Sequence, residues 1–272
     1  MTISTESQSG VKPKAALPIL EVDGFSFSYG ATKILEDINF STVRGEFVCI
    51  VGPSGAGKTT LLECLAGLRQ PTTGKVLFKG NHVTRPPAEL AVVFQDYSRS
   101  LMPWLSAEEN ISLPLKSAGI SKDERKQRAL AALEEVGLEA AAELYPWELS
   151  GGMQQRVAIA RALAYKPTLV IMDEPFASVD AQTRADLEDL TLKIKRDLGI
   201  TIILVTHDID EAVYLSDRVL ALSSRPATIA DVVDVELGQD RDQITTKALP
   251  EFAELRSHLY RLIRRPEENT PK

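Results

Sequence analysis

Gly52-Pro53-Ser54-Gly55-Ala56-Gly57-Lys58-Thr59-Thr60 fits the pattern G-x-x-x-x-G-K-[ST], and its flanks decide how it is read. Glu46 to Val51 before it is a short apolar run that reads as a buried strand; Thr60 to Leu68 after it carries helical spacing at Leu61, Leu62 and Leu65. A glycine-rich loop between a strand and a helix is an anion cradle. Its backbone N–H groups converge on phosphate oxygens and the positive end of the helix dipole favours negative charge. Side chains would obstruct the approach, which suits Gly52, Gly55 and Gly57, with Pro53, Ser54 and Ala56 between them. Lys58 can then reach the β/γ-phosphates of a nucleoside triphosphate, Thr59 can ligate Mg²⁺, and Thr60 begins the helical pattern. Without such flanks the same letters would describe only a glycine-rich turn.

A chain of 272 residues is long enough for one large α/β domain or two smaller ones. With 44% hydrophobic and 25% charged residues its composition is that of a soluble globular protein. The net charge of −7 argues against generic nucleic-acid affinity, because neutralising phosphates needs a basic face. The two cysteines, Cys49 in the strand and Cys64 in the helix flanking the loop, sit among apolar neighbours without metal-ligand spacing. They read as buried reduced thiols, consistent with a cytosolic compartment. The longest apolar runs, such as Thr201 to Val205, are strand-length, well short of the ~20 residues a membrane helix needs.

Residues 1–18 are rich in Ser, Thr, Pro and Lys, have no apolar centre, and are expected to be a disordered tail, as are residues 266–272. Ile19 to Val22 and Phe25 to Phe27 read as edge strands ending at Tyr29-Gly30. Ile38 to Phe40 and Phe47 to Val51 lead into the loop, Lys75 to Phe78 is closed by the turn pair Gly80-Asn81, and Leu90 to Phe94 delivers Gln95. From about 97 to 167 the pattern is helical. Ser106 with Glu109, and Ser121 with Glu124, fit capping boxes, and a third helix starts after Ser150 and stops before Pro167. Strands then resume at Leu169 to Met172, Thr201 to Val205 and Val219 to Leu222, separated by a helix over Ala181 to Leu198 and a short one capped by Asp208 and Glu211. Continuous Val/Ile/Leu strands separated by helices imply a parallel sheet covered on both faces, with ligands at the carboxyl ends of the strands. A last helix over Pro250 to Arg265 turns Phe252, Leu255, Leu259 and Leu262 to one side and leaves Arg256, Arg261, Arg264 and Arg265 as a solvated face.

Asp173 and Glu174 emerge at that carboxyl edge. An aspartate at a strand end facing Thr59 is what a Mg²⁺·ATP site requires, since the metal keeps several waters and takes one or two protein oxygens. Glu174 has the reach to polarise an attacking water as general base. A lone Asp-Glu pair would equally be a helix cap with a first-turn acid; the phosphate loop tips the reading. His207 follows its strand at the same edge and is placed to donate to the γ-phosphate or orient the water, although a lone histidine is more often structural. Gln95, at another strand end, is suited to metal or water. Tyr29 is either an aromatic platform for adenine or a partly buried edge-strand tyrosine. Leu149-Ser150-Gly151-Gly152-Met153-Gln154-Gln155-Arg156 puts two glycines behind a serine N-cap, which makes a second anion-binding helix end in a separate subdomain, or simply a glycine-rich lead into a helix.

Taken in order, Gly52 to Thr60, Gln95, Leu149 to Arg156, Leu169 to Pro175, Ser178-Val179-Asp180 and His207 resemble the phosphate loop, Q-loop, signature, Walker B, D-loop and H-loop of an ABC transporter ATP-binding subunit, over roughly residues 19 to 225. Leu101 to Asn110, Asp173-Glu174-Pro175-Phe176 and Asp208 to Ala212 further resemble the nitrate/sulfonate/taurine/bicarbonate importers. The resemblance implies a P-loop NTPase, RecA-like α/β core with a mostly parallel sheet, an N-terminal antiparallel β subdomain and an inserted α-helical subdomain, together an ATP-binding domain over 19–265. It implies a head-to-tail dimer in which Ser150, Gly151 and Gly152 of one copy complete the site begun by Gly52 to Thr60 of the other. It implies ATP and Mg²⁺ as ligands and transmembrane permease subunits as partners, with a substrate-binding protein engaged indirectly, at the cytoplasmic face of the plasma membrane. The segment after Gln95 would receive a coupling helix from the permease, with Trp104 as its anchor or as a packed aromatic. Met153 and Val179 depart from the family's commonest residues, and no guanine-specific Asn-Lys-x-Asp occurs, which favours ATP. A soluble non-transport ABC ATPase or an ATP-dependent regulatory module are the other readings; the first would usually carry a coiled-coil insertion or a second cassette, and the second would tolerate loss of Glu174 or His207.

Overall fold

The computed structural model describes residues 17–96 and 100–264. Strand β1 (Pro18–Tyr29) turns at Gly30, where φ is +57°, and pairs antiparallel with β2 (Thr32–Val43). The two short strands expected between Ile19 and Phe27 are thus one strand, broken in register rather than in continuity near Gly24. The expected tail 1–18 meets it at Pro18; residues 1–16 lie outside those described, as do Arg265 and the expected tail 266–272. After β3 (Phe47–Val51) and helix α1 (Lys58–Leu65), β4 (Thr73–Phe78) and β5 (Asn81–His82) complete a four-stranded antiparallel sheet of order β2-β1-β4-β5. β1 is therefore interior, and the edges are β2 and β5.

The second sheet is built from β3, β6 (Leu90–Val93), β7 (Leu169–Asp173), β8 (Thr201–Val205), β9 (Arg218–Leu222) and β10 (Ile229–Asp234), in the order β10-β9-β3-β8-β7-β6. All pairs are parallel except β10 with β9. β10 gave no usable signal because its burial alternates between half-buried and exposed, with charged Asp231 and Asp234 at an antiparallel edge. The central strands are buried on both faces. Val48 and Ile50 of β3 join the core between the two sheets, while Phe47, Cys49 and Val51 join the core under the helices. Ile203 and Val205 against Ile202 and Leu204 do the same for β8. Cys49 and Cys64 are free and buried, as expected, and burial pushes the Cys64 thiol up to about 12.

The helical insert contains α2 (Ala107–Ser117), α3 (Lys122–Glu135) and α4 (Gly151–Leu163), with short 3₁₀ turns at Glu139–Ala141 and Pro146–Glu148. Ser106 and Glu109 form the reciprocal capping box. Ser121 caps α3 through the Glu124 amide, but the Glu124 side chain turns away to Arg128. α5 (Ala181–Leu198) runs from an Asp180 cap to Gly199 at φ +60°, with the expected bounds. α6 (Ile209–Leu215) is capped by Asp208 alone; Glu211 is buried and bonded elsewhere. α7 (Pro250–Ile263) packs Phe252 and Leu259 inward as its periodicity predicts. Among the described residues no helix is long and apolar enough to cross a membrane.

Candidate functional site: a phosphate loop and a carboxylate cluster

The loop's shape is set by what it packs against. Gly57 has φ +95°, and a Cβ there would sit 2.6 Å from Ile34 Cγ2 of β2; one on Gly52 would meet Leu222 Cβ at 2.9 Å. Gly55, at φ +78°, is exposed. No side chain larger than hydrogen fits Gly57 in this backbone. Inside it, the Lys58 ammonium donates to the carbonyls of Gly52 at 2.9 Å and Pro53 at 3.2 Å. Burial lowers its pKa, opposed by the charges of Glu174 and Asp173. Ala56 is buried, Ser54 and Thr59 are exposed, and the buried Thr60 lies with its hydroxyl 3.4 Å from that of Tyr29.

Asp173 ends β7 and Glu174 follows it, so both reach the carboxyl edge of the sheet, where the loop also lies. Asp173 is buried, shares a hydrogen bond with Thr59, and leaves Oδ1 buried without a partner. Burial pushes its carboxyl up to about 6, with further repulsion from Glu174, against the pull of Thr59 and Lys58. An orphaned carboxylate oxygen beside a hydroxyl is a hard-oxygen donor set, and it fits Mg²⁺.

Glu174 is held in the left-handed region at φ +43°, its N–H donating to the Val205 carbonyl at 2.8 Å. A non-glycine residue there is strained, and such strain clusters at functional sites. His207 Nδ1 lies 3.1 Å from Glu174 Oε2, and Gln95 Nε2 donates to the same oxygen at 3.2 Å. The ends of β6 and β8 thus bring Gln95 and His207 to one oxygen of Glu174, which follows β7. The His207 side chain is 63% exposed, so its surroundings do not pin it.

Tyr29, at the end of β1, is 48% exposed, with Phe27 edge-on at 5.0 Å and the Arg69 guanidinium 5.3 Å from its ring centre. Ser150, Gly151 and Gly152 open α4 in the helical insert, the Ser150 hydroxyl accepting from Met153 N at 3.3 Å. Among the described residues no hydrogen bond or ion pair joins them to Gly52 to Thr60. Gly152 has a second reason to be glycine: a Cβ there would meet Thr183 Cγ2 of α5 at 2.5 Å. Trp104 is 69% exposed, which removes the packed-aromatic alternative.

Two residues at the site escaped the sequence reading. Arg225, after β9, donates through Nε to the Gly55 carbonyl at 3.1 Å. Its signal was a basic residue just past a strand that ends at the ligand-binding edge. Arg69 stacks on Tyr29 while its Nε is tied to Glu63 at 2.7 Å, and forty residues of separation left no local mark of that contact.

The ABC transporter family model matches residues 35–177. The chain is 43% identical to the nitrate import ATP-binding protein NrtD of Synechococcus elongatus, covering 82% of each. It is 42% identical to the taurine import ATP-binding protein TauB of Yersinia pestis, over 81% of this chain and 86% of that protein. Among solved structures, an ATP-binding cassette dimer in a post-hydrolysis state bound to ADP and phosphate superposes with a TM-score of 0.69 at 32% identity, over 80% of this chain and 99% of that one. A strained glutamate beside a phosphate loop, in a chain so closely related to such cassettes, identifies a member of the ABC transporter family: this chain is an ATP-binding subunit and an ATPase.

Proposed function

We propose that the chain hydrolyses ATP as one half of a two-fold dimer and so energises import of a small anionic or zwitterionic solute through a membrane permease of the nitrate or taurine type. The observation that carries the catalytic reading is the convergence of Gln95 and His207 on one carboxylate oxygen of Glu174, next in sequence to the buried Asp173. The unit is 19–265, with 97–167 as its helical insert. The loop amides of Gly52 to Thr60 and the Lys58 ammonium hold the β/γ-phosphates, which replace the Gly52 and Pro53 carbonyls as partners of Lys58. Tyr29 offers its open surface to adenine. Thr59, Gln95 and Asp173 are the residues that would hold Mg²⁺, which when bound screens the phosphate charge. Glu174 is the general base. Among the described residues its contacts with Gln95 and His207 both fall on Oε2. His207, beside that carboxylate at the same sheet edge, is the donor to the γ-phosphate. Ser150, Gly151 and Gly152 of a second copy close the site.

Such a subunit sits peripherally at the cytoplasmic face of the membrane, with Trp104 on the permease side. The Glu174→Gln variant is expected to bind ATP and dimerise in size-exclusion chromatography while hydrolysing ATP roughly 10²–10⁴-fold more slowly. Normal turnover would overturn the assignment of the base. Capture of tagged chain from detergent-solubilised membranes should bring down permease subunits; a soluble partner instead would point to a non-transport ATPase or regulatory module.

A further inference from the structure

His207 is exposed, yet its imidazole is aimed at Glu174, so the turn that carries it must supply the aim. That turn is fixed on three sides. Thr206 N–H donates to the Ile50 carbonyl at 3.2 Å, tying it to β3 just before the phosphate loop. The Thr206 hydroxyl donates to Glu211 Oε2 at 2.6 Å and accepts from Asp208 N at 3.0 Å. Asp208 in turn caps α6 through Oδ1 and meets Arg184 Nη1 of α5 through Oδ2 at 3.3 Å. Arg184 Nε stands 3.7 Å from Glu211 Oε1. Thr206 and Glu211 are each almost wholly buried, at 1% and 3% exposure. A buried carboxylate bonded to one hydroxyl and facing one guanidinium is costly to keep unless it fixes something.

We propose that Thr206, Glu211 and Arg184 are positioning residues for hydrolysis, which hold the turn so that His207 stays registered against Glu174. The inference rests on His207 acting in hydrolysis as proposed above. Asp208 alone would satisfy the helix cap; the additional Thr206–Glu211 bond locks the two residues flanking His207 on its N-terminal side and one turn beyond it. Arg184 ties that lock to α5, whose first turn also touches Gly152 through Thr183. The geometry of the base and histidine pair is therefore set by α5 and α6 together rather than by the β8 strand end alone.

The test is a double-mutant cycle on the full-length chain, read as kcat and KM for ATP. Thr206→Val keeps the shape and removes the hydroxyl. It is expected to lower kcat roughly tenfold with KM within about twofold, as loss of a charge-assisted buried hydrogen bond would. Thr206→Ser should restore most of the rate. In a His207→Ala background, Thr206→Val should change kcat by less than about twofold, because there is no imidazole left to aim. Equal losses in both backgrounds would overturn the inference and leave the His207 assignment standing. An unaltered kcat in His207→Ala would overturn both. Glu211→Gln, which keeps an acceptor for Thr206 while removing the charge opposite Arg184, supplies the same cycle if Thr206→Val fails to fold, with a smaller expected loss and the same two readouts.

Discussion

At the scale of single residues, the site is made of groups kept in states they would not choose in water. Glu211 is the extreme case. Burial pushes its carboxyl up to about 7 from an ordinary 4.5, with repulsion from Asp208 and Glu188 adding to the rise, and with the Thr206 hydroxyl and Arg184 opposing it. A carboxyl whose folded-state pKa is raised binds its proton more tightly when folded. Its contribution to stability is therefore fully present below about 4.5 and is lost as pH rises through about 7. Glu211→Gln removes that titration. Its stability relative to the parent chain is expected to rise by on the order of 2 kcal/mol between pH 5 and pH 8, measured by urea unfolding at each pH. A flat difference would mean that Glu211 is charged at both ends of the range. Lys58 gives a plainer prediction: Lys58→Ala should abolish detectable turnover while the fold persists, because among the described residues its ammonium donates to the loop carbonyls of Gly52 and Pro53. Retained ATPase would remove the loop from the mechanism.

Among the elements, the short loop between Leu101 and Ser106 shows how an exposed feature is built. Asn110, at 1% exposure on the inner side of α2, accepts from Met102 N at 2.7 Å and donates to the carbonyls of Met102, Leu105 and Ser106. One amide thus lies within hydrogen-bond reach of four backbone groups and leaves Trp104 standing out. Trp104→Ala should weaken co-purification of the permease without altering basal ATPase, as a solvent-facing aromatic anchor would. Asn110→Ala should do the same and in addition cost on the order of 2–4 kcal/mol in denaturant unfolding, because it strands buried backbone groups. Unimpaired capture by both variants would place the permease contact elsewhere. Elements with local signals were legible in the sequence: Asp180 and Gly199 mark the ends of α5 because cap and stop are written in adjacent residues. β1 was mistaken for edge strands, since nothing in Ile19 to Phe27 tells which neighbours it will pair with. The same limit hid the contacts of Arg184 with Asp208 and Glu211, which join residues 24 and 27 positions apart.

For the whole molecule, the proposed function makes a second copy part of the site, its Ser150 to Gly152 completing the phosphate loop. A mixing experiment isolates that claim. Chains carrying Lys58→Ala have a dead loop, chains carrying Ser150→Arg a dead signature end, and each alone should be inactive. A mixed dimer retains one intact site, so an equimolar mixture should recover about a quarter of the parent activity if sites act independently. No recovery would sink the shared-site reading.

The packing of Ile34 and Leu35 against Gly57 has a further consequence, this one for how the protein is made. β1 and β2 lie earlier in the chain than the loop they press on, and their side chains share one core with Ile50, Ala56 and Leu61. On a ribosome the ribbon of residues 18–43 emerges before residues 52–60, but β1 also pairs with β4, which emerges after them. The surface that shapes the phosphate loop is therefore complete only once residues 73–78 have left the ribosome as well.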